Sequence, residues 1–201
     1  MYCNQHPWNK DRLLGQKPPL KPKEIWSLRI RLQLAGKLRD LVMFNLALDS
    51  KLRGCDLVSL RVRDVQQGSV VAARGMVMQR KTQRPVQFEI TEPTREAISA
   101  WLAYAQLQSI DYLFPGRSPE AHLSRRQYAR IVKAWVRCIG LDPTRYGTHS
   151  LRRTKATLIY RRTKNIRTIQ LLLGHTRLES TVRYLGIEVD DALEISEQVE
   201  I

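Results

Sequence analysis

The sequence predicts a mainly helical domain that carries one small antiparallel β-sheet, which is the α+β class. Apolar residues recur with helical spacing over residues 24–60. Residues 61–90 instead show valine-rich alternation and turn-forming glycines, and helical spacing returns after residue 90. The chain has 201 residues, 43% hydrophobic and 26% charged. This length and composition are typical of one soluble globular core.

The first helical stretch is expected to form two amphipathic helices between Glu24 and Leu48, because Gly36 interrupts the apolar pattern. A third, short helix is expected at Gly54–Leu60. In the β segment, Val86, Phe88 and Ile90 alternate with polar residues, while Gly68 and Gly75 supply turns.

The second half of the chain is expected to be helical. Thr91 and Pro93 open a helix that runs to Gln108, and Leu123 with Ser124 opens another that runs to Ile139. Beyond these, Thr148 is a candidate helix cap in THSLRR, and Gly174 is the expected end of the apolar helix in LLLGH.

Composition along the chain suggests three parts. Residues 1–23 hold four prolines among scattered basic residues, which predicts a flexible basic arm. The folded domain is expected over 24–192, and residues 193–201 form a short tail. Three cysteines without C-x-x-C spacing favour free thiols over disulfides or zinc.

The formal net charge of +15 points to a polyanionic partner. Nucleic acid is favoured over membrane, because the longest apolar run, 41–48, is far shorter than the ~20 residues that span a bilayer. The N-terminus also lacks the pattern of a signal peptide, so a cytoplasmic, nucleoid-associated protein is expected. No metal or cofactor is expected.

Two short motifs carry residues suited to phosphate chemistry. His149 and Arg152 lie three residues apart, so on a helix they share one face and can grip one phosphate. His175 begins a turn after Gly174, and Tyr184 follows in a short helix. Each motif also has an ordinary structural interpretation: a solvated basic face for the first, and a capping histidine with a core tyrosine for the second.

The joint order is more specific than either motif, and it resembles the tyrosine recombinases, or phage integrases. The family signature has an Arg in a leucine-rich segment, a Lys on a β-hairpin, H-x-x-R, G-H, and a Tyr nine residues after that His. In this chain Tyr184 follows His175 by nine residues, and His175 follows His149 by 26 residues, both close to the family spacing. The residues that match, in order, are Arg53, Lys81, His149, Arg152, His175 and Tyr184.

The resemblance implies the fold of a tyrosine recombinase catalytic domain and a role for each matching residue. Tyr184 would be the nucleophile that forms a 3′-phosphotyrosine, and Arg53 and Arg152 would bind the non-bridging oxygens. His175 would add a hydrogen bond to the phosphate. His149 would assist proton transfer from the phenol, Lys81 would be the general acid, and Asp56 would support the site. Lys81 could equally be a residue of a basic turn that contacts the DNA backbone without a catalytic role. Asp56 could equally be an ordinary carboxylate on a helix surface.

The chain departs from the family pattern at two positions, Lys51 in place of a frequent Gly and Asp56 in place of the commoner Glu. In 201 residues no counterpart of the N-terminal core-binding domain of full-length integrases is expected, and in this respect the chain resembles the short invertases that switch fimbrial genes. The family implies a tetramer on double-stranded DNA, with the C-terminal tail docked on a neighbour or folded back. An accessory DNA-binding protein is a further expected partner.

A DNA-tracking surface is expected from basic residues outside the catalytic set. Its members are Arg80, Arg84, Arg125, Arg126, Arg130, Lys133, Arg161, Arg162, Lys164 and Arg167. The expected function is site-specific recombination, whether integration, excision or inversion. The alternative from another class is a catalytically silent DNA-binding regulator on the same scaffold. A type IB topoisomerase is disfavoured by the spacing, and an RNA-binding domain by the lack of an aromatic-rich sheet.

Overall fold

The computed structural model of the chain describes residues 16–118, 120–186 and 197. Eight α-helices and four short strands lie in these residues, in the order α1 to α3, β1 to β4 and α4 to α8, with a short 3-10 helix at Val62–Asp64 before β1. The helices are α1 Pro22–Leu34, α2 Leu38–Ser50, α3 Gly54–Val58, α4 Glu92–Ala105, α5 Arg125–Cys138, α6 Thr148–Thr163, α7 Ile166–Leu173 and α8 Leu178–Leu185. The strands are β1 Gln66–Gln67, β2 Val70–Val71, β3 Arg74–Met78 and β4 Pro85–Glu89. The predicted mainly helical α+β class is confirmed.

The predicted single sheet is two separate hairpins, β1 with β2 and β3 with β4, both antiparallel. The larger hairpin pairs Gly75 with Phe88, and a Cβ on Gly75 would lie 2.5 Å from the Phe88 ring. Gly75 therefore lets the ring pack across the strand. The sequence predicted a turn at Gly75, and this prediction is wrong because Gly75 lies within β3. The β3–β4 turn carries Lys81.

Helix α2 is the centre of the fold. Every residue from Leu41 to Ser50 is buried, and α1, α4 and α6 all pack against this helix. A helix that is buried all round needs apolar side chains on every face, which α2 supplies over most of its length. A second, smaller apolar cluster joins α6, α7 and α8 through Ala156, Ile169, Leu173 and Leu185. This smaller cluster seats the helix that carries Tyr184.

The polar end of α2 is fixed by a buried carboxylate. Asp49 accepts hydrogen bonds from the Thr91 amide at 3.0 Å, from the Thr94 hydroxyl at 2.6 Å and from Lys155 Nζ at 2.9 Å. Burial raises the pKa of Asp49, but these hydrogen bonds outweigh burial and lower the pKa below its usual value. Because Lys155 lies on α6 three residues after Arg152, this network sets α6 against α2 and α4.

We expect Asp49→Ala to lower the free energy of unfolding by about 1–3 kcal/mol, because it removes a buried acceptor shared by Thr91, Thr94 and Lys155. Lys155 keeps its ion pair with Glu89, and the two threonine hydroxyls keep their mutual contact. Urea denaturation measures the change. The control Glu96→Ala removes an exposed carboxylate from α4 and should change stability by less than about 0.5 kcal/mol. Equal changes in both variants would contradict the assigned role of Asp49.

Lys51 occupies the position where the resemblance gives glycine. Its backbone is left-handed, with φ 54°, at the end of α2, a conformation that glycine adopts most easily. The side chain is buried, and its ammonium donates to the Asp49 carbonyl at 2.6 Å and to Glu89 at 3.5 Å. Burial lowers the pKa of Lys51. Lysine is therefore accommodated here by a buried polar environment.

Residues 16–21 differ from the flexible arm predicted for 1–23. Leu20 is 3% exposed, its amide donates to Thr154 Oγ1 at 2.9 Å, and Arg153 Nη1 donates to the Lys17 carbonyl at 3.0 Å. The prolines keep this segment extended without preventing it from packing on α6. Residues 1–15 and almost all of the predicted tail lie outside the described residues. No described helix is long and apolar enough to cross a membrane.

Candidate active site

The start of α6 brings His149 and Arg152 to one place. The predicted cap, Thr148, is wrong: Thr148 is the first helical residue, and the Ser150 hydroxyl accepts from the Gly147 amide at 3.1 Å. Helix α6 still begins at Thr148, because the Ser150 hydroxyl accepts from the otherwise free backbone amide of Gly147. His149 is exposed at the surface, whereas Arg152 is only 3% exposed.

Arg152 is held by one end of its guanidinium. Nη2 donates to the Leu173 carbonyl at 2.9 Å, at the end of α7. Nη1 is buried and has no hydrogen-bond partner among the described residues. A buried donor without a partner costs free energy, so it marks a position built for an acceptor.

Tyr184 lies against this guanidinium. Its ring centre is 5.8 Å from the Arg152 guanidinium carbon and 5.6 Å from that of Arg153, and His175 meets the ring edge to face at 5.4 Å. The Tyr184 hydroxyl is buried and has no hydrogen-bond partner among the described residues. Burial raises the pKa of Tyr184, and the charges of Arg152 and Arg153 oppose this rise only in part. The phenol is therefore protonated at neutral pH.

The turn after α7 presents His175. Gly174 ends the helix as predicted, with φ 64°, and the His175 amide donates to the Gln170 carbonyl at 3.0 Å. The ring Nδ1 lies 3.1 Å from Thr181 Oγ1. Burial, with the nearby charges of Arg152 and Arg53, lowers the pKa of His175 to about 4. The imidazole is neutral at pH 7.

The lowered pKa of His175 should make stability depend on pH. The unfolded chain binds a proton at His175 near its ordinary pKa of 6.5, whereas the folded protein does so only near pH 4. The unfolded state binds more protons between these values, so His175 makes stability rise as pH rises from about 4 to about 6.5. We expect His175→Gln to flatten that part of the stability profile, measured by urea denaturation at several pH values. Identical profiles for the variant and the wild type would contradict it.

Arg53 immediately precedes α3, as its N-cap residue, and is half-buried. Its Nη1 donates to Gln79 Oε1 on the β3–β4 turn. Asp56, one turn later, is fully buried, and its Oδ1 accepts from the Arg80 amide at 3.0 Å. Asp56 therefore anchors the turn that carries Lys81, so an exposed helix-surface position is wrong for it.

Lys81 and three of the expected DNA-contacting arginines line one open groove of about 1020 Å³ with Arg53 and His149. These arginines are Arg80, Arg125 and Arg126. On the other side, His149 and Tyr184 line a cavity of about 650 Å³ that also holds Arg153 and Arg183. His149 thus forms part of both walls, between the groove and the tyrosine. Its pKa is lowered by burial and by the charges of Arg152, Arg153 and Arg53.

The other basic residues expected to contact DNA are exposed but lie elsewhere. Arg84 lines a separate cleft beside His175, and Arg130 bonds Gln127 on α5. Arg161, Arg162 and Lys164 lie at the far end of α6, about 20 Å from His149 at 1.5 Å per residue. The described residues contain no group of three His, Cys, Asp or Glu side chains that could hold a metal ion.

Three polar residues at the site were missed from the sequence: Gln79, Arg153 and Thr181. Arg153 is 7% exposed, and its Nη2 donates to the Leu185 carbonyl at 3.5 Å, next to Tyr184. Its proximity to Arg152 in the chain was a signal, but one that any basic helix gives. Nothing in the sequence distinguishes Gln79 or Thr181 from surface residues.

Comparison with known proteins identifies the family. The model of the phage integrase family matches residues 20–189. The chain is 32% identical over 152 residues to the probable integrase/recombinase YoeC of Bacillus subtilis, covering 76% of this chain and 80% of that protein. It is 29% identical over 153 residues to the tyrosine recombinase XerC of Erythrobacter litoralis, covering 75% of this chain and 47% of that protein.

Solved structures share the fold. The XerA recombinase superposes with a TM-score of 0.74 at 21% identity, over 92% of this chain and 66% of that one. The XerH recombinase, bound to its difH substrate before cleavage, superposes with a TM-score of 0.72 at 17% identity, over 92% of this chain and 56% of that one. The fold is that of a tyrosine recombinase catalytic domain.

The fold and the family match together define the class of protein, an integrase-type catalytic domain. The chain belongs to the phage integrase family. It spans about half the length of the XerC and XerD relatives that it matches.

Proposed function

We propose that this chain is the catalytic domain of a site-specific recombinase, which cleaves and rejoins duplex DNA through a 3′-phosphotyrosine at Tyr184. One observation carries the proposal. The Tyr184 hydroxyl and Arg152 Nη1 are both buried and both lack a partner among the described residues, and the Tyr184 ring centre lies 5.8 Å from the Arg152 guanidinium carbon. The cavity that Tyr184 lines shares His149 with the basic groove. A phosphate there would accept from the guanidinium and present phosphorus to the phenol.

In the cleavage step, the Tyr184 oxygen forms a bond to phosphorus and the bond from phosphorus to the 5′ oxygen breaks. The phenol must lose its proton, because its pKa is raised. The neutral His149 ring lines the same cavity and is the proposed acceptor, directly or through one water. Lys81, on the exposed turn across the groove, is the proposed donor to the departing 5′ oxygen.

In the rejoining step, a 5′ hydroxyl attacks the phosphotyrosine, and the same groups return their protons. The phosphodiester energy is kept in the protein–DNA bond, so no nucleotide cofactor is consumed. Arg53 and Arg152 would neutralise the non-bridging oxygens as charge grows in the transition state, and His175 would add a further hydrogen bond. Exchange of strands between two sites makes this recombination.

The proposal includes assembly as a tetramer on double-stranded DNA, with an accessory DNA-binding protein as a further partner. What supports contact between subunits is the contrast between the net charge of +15 and the C-terminal residues 187–201, which hold six acidic and no basic residues. An acidic, apolar segment suits a neighbour's basic surface. Solved relatives include the Tn1549 transposon integrase in complex with transposon end DNA.

Phosphate contacts should make DNA binding strongly dependent on salt. Each phosphate contact that a substitution removes should reduce the slope of log affinity against log salt by about 0.9. We expect that reduction for Arg125→Ala, measured by fluorescence anisotropy on a duplex of random sequence. Arg137→Ala removes the same charge about 18 Å further along α5 and should leave the slope unchanged. Equal slopes for both variants would contradict the assignment of the groove to DNA.

The proposed function is tested by trapping the covalent intermediate. The protein is incubated with a library of nicked duplexes that carry randomised flanks, and the DNA that stays attached after denaturation is recovered and sequenced. We expect the attached DNA to be enriched in a common sequence. The nick makes the strand that carries the new 5′ hydroxyl short, so this strand diffuses away before it can rejoin. Binding without attachment throughout the library would favour the catalytically silent regulator and overturn the proposal.

A further inference from the structure

The side chain of Gln79 connects the two arginines of the site. It is 1% exposed and lies between the β3–β4 turn and the end of α7. Oε1 accepts from Arg53 Nη1 and from Thr82 Oγ1, the latter at 2.9 Å. Nε2 donates to the Leu173 carbonyl at 3.5 Å. An amide is suited to this position because it carries both an acceptor and a donor.

The Leu173 carbonyl also accepts from Arg152 Nη2, at 2.9 Å. Gln79 and Arg152 therefore share one acceptor, and Arg53 joins the same chain of hydrogen bonds through Gln79. The next residue, Gly174, completes the arrangement. A Cβ there would lie 2.7 Å from Val86 and 3.2 Å from Gln79 Nε2, so glycine lets the backbone approach the amide.

Gln79 is the only hydrogen-bond partner of the Arg53 guanidinium among the described residues. The turn that carries Lys81 has further anchors. The backbone amide of Gln79 donates to the Arg84 carbonyl at 2.9 Å, and the backbone amide of Gln83 donates to the Gln79 backbone carbonyl at 2.8 Å. Asp56 Oδ1 accepts from the Arg80 backbone amide at 3.0 Å. Removing the Gln79 side-chain amide should leave the turn in place and release Arg53.

We propose that Gln79 is a positioning residue, which fixes the Arg53 guanidinium relative to Arg152 so that both bind the non-bridging oxygens of one phosphate. This inference rests on the proposed function. A long arginine side chain loses conformational freedom when it is held, and holding it before the reaction makes its charge effective in the transition state. Gln79 itself does not touch the reacting atoms.

The test compares Gln79→Leu with Thr82→Val on the duplex recovered from the library. Thr82→Val removes the other donor to the same oxygen and leaves Arg53 in place. Single-turnover cleavage is measured at saturating protein on three versions of the scissile linkage. These are the natural phosphate, a methylphosphonate, which lacks the charge that an arginine neutralises, and a 5′-bridging phosphorothiolate, whose thiolate leaves without a general acid.

For Gln79→Leu we expect cleavage of the natural phosphate to fall about 30-fold, less than the roughly 100-fold or greater fall that follows the loss of an electrostatic donor itself. On the methylphosphonate the deficit relative to wild type should shrink to about threefold or less, because the charge on which Arg53 acts is gone. On the phosphorothiolate it should stay near 30-fold, since the general acid is intact. Thr82→Val should cleave all three within about threefold of wild type.

Rescue of Gln79→Leu by the phosphorothiolate alone would show that Gln79 acts on the Lys81 turn, and would overturn the proposal. An equal deficit on all three substrates would indicate a purely structural role and would also overturn it. If Gln79→Leu does not fold, Gln79→Glu decides. Glutamate keeps the shape but neutralises Arg53, so the methylphosphonate should again reduce its deficit. A wild-type protein that attaches to no DNA would instead refute the proposed function.

Discussion

Tyr184→Phe is expected to abolish covalent attachment to DNA. The substitution removes the oxygen that attacks phosphorus in the proposed mechanism, so no adduct should form at any enzyme concentration or time. The ring keeps its edge-to-face contact with His175 and its position beside the Arg152 guanidinium. Folding and DNA affinity should therefore be preserved. Denaturing electrophoresis with labelled DNA measures the adduct.

Tyr160→Phe is the matched control. Tyr160 is half-buried in the same small apolar cluster and lies on α6. The variant loses one tyrosine hydroxyl of the same cluster and should form the adduct at a rate within about threefold of wild type. An adduct that persists in Tyr184→Phe and vanishes in Tyr160→Phe would move the nucleophile to Tyr160.

Arg152→Ala is expected to reduce cleavage by at least about 100-fold, the magnitude that follows loss of a preorganised donor to developing charge. The protein should remain folded. Its main structural loss is the hydrogen bond to the Leu173 carbonyl, which should lower the free energy of unfolding by about 1–3 kcal/mol. Single-turnover cleavage and urea denaturation measure the two effects separately.

Arg162→Ala is the control for Arg152, because it removes an exposed arginine from the other end of the same helix. Cleavage should stay within a factor of about three. Arg152→Lys adds a second comparison. Lysine keeps the charge but loses the planar pair of donors, so cleavage should remain well below wild type. An unfolded Arg152→Ala protein would show that the arginine is mainly structural.

Most helices could be predicted because their signals are local. Gly36 separates α1 from α2, and Gly174 ends α7 in the left-handed conformation. The β segment was predicted in type but not in arrangement. Alternation shows that strands form, but it does not show which strands pair; here consecutive strands form two separate hairpins.

The ordered set of catalytic candidates was visible in the sequence because its spacing is a property of the chain. What spacing does not contain is burial. The full burial of Asp56, the Gln79 bridge and the contact between Arg153 and Lys17 all come from side chains far apart in sequence. Composition predicted an arm through residue 23, but the segment that precedes α1 packs on α6 through the buried Leu20 and through hydrogen bonds with Thr154 and Arg153.

The most direct measurement is the mass of the peptide that carries the covalently attached nucleotide. Attached DNA is digested with nuclease, the protein is cut with trypsin, and the C-terminal peptides are analysed by tandem mass spectrometry. We expect a nucleotide linked through its 3′ phosphate to the side-chain oxygen of Tyr184, with no other residue labelled. A nucleotide on a different residue, or one linked through its 5′ phosphate, would contradict the proposed chemistry.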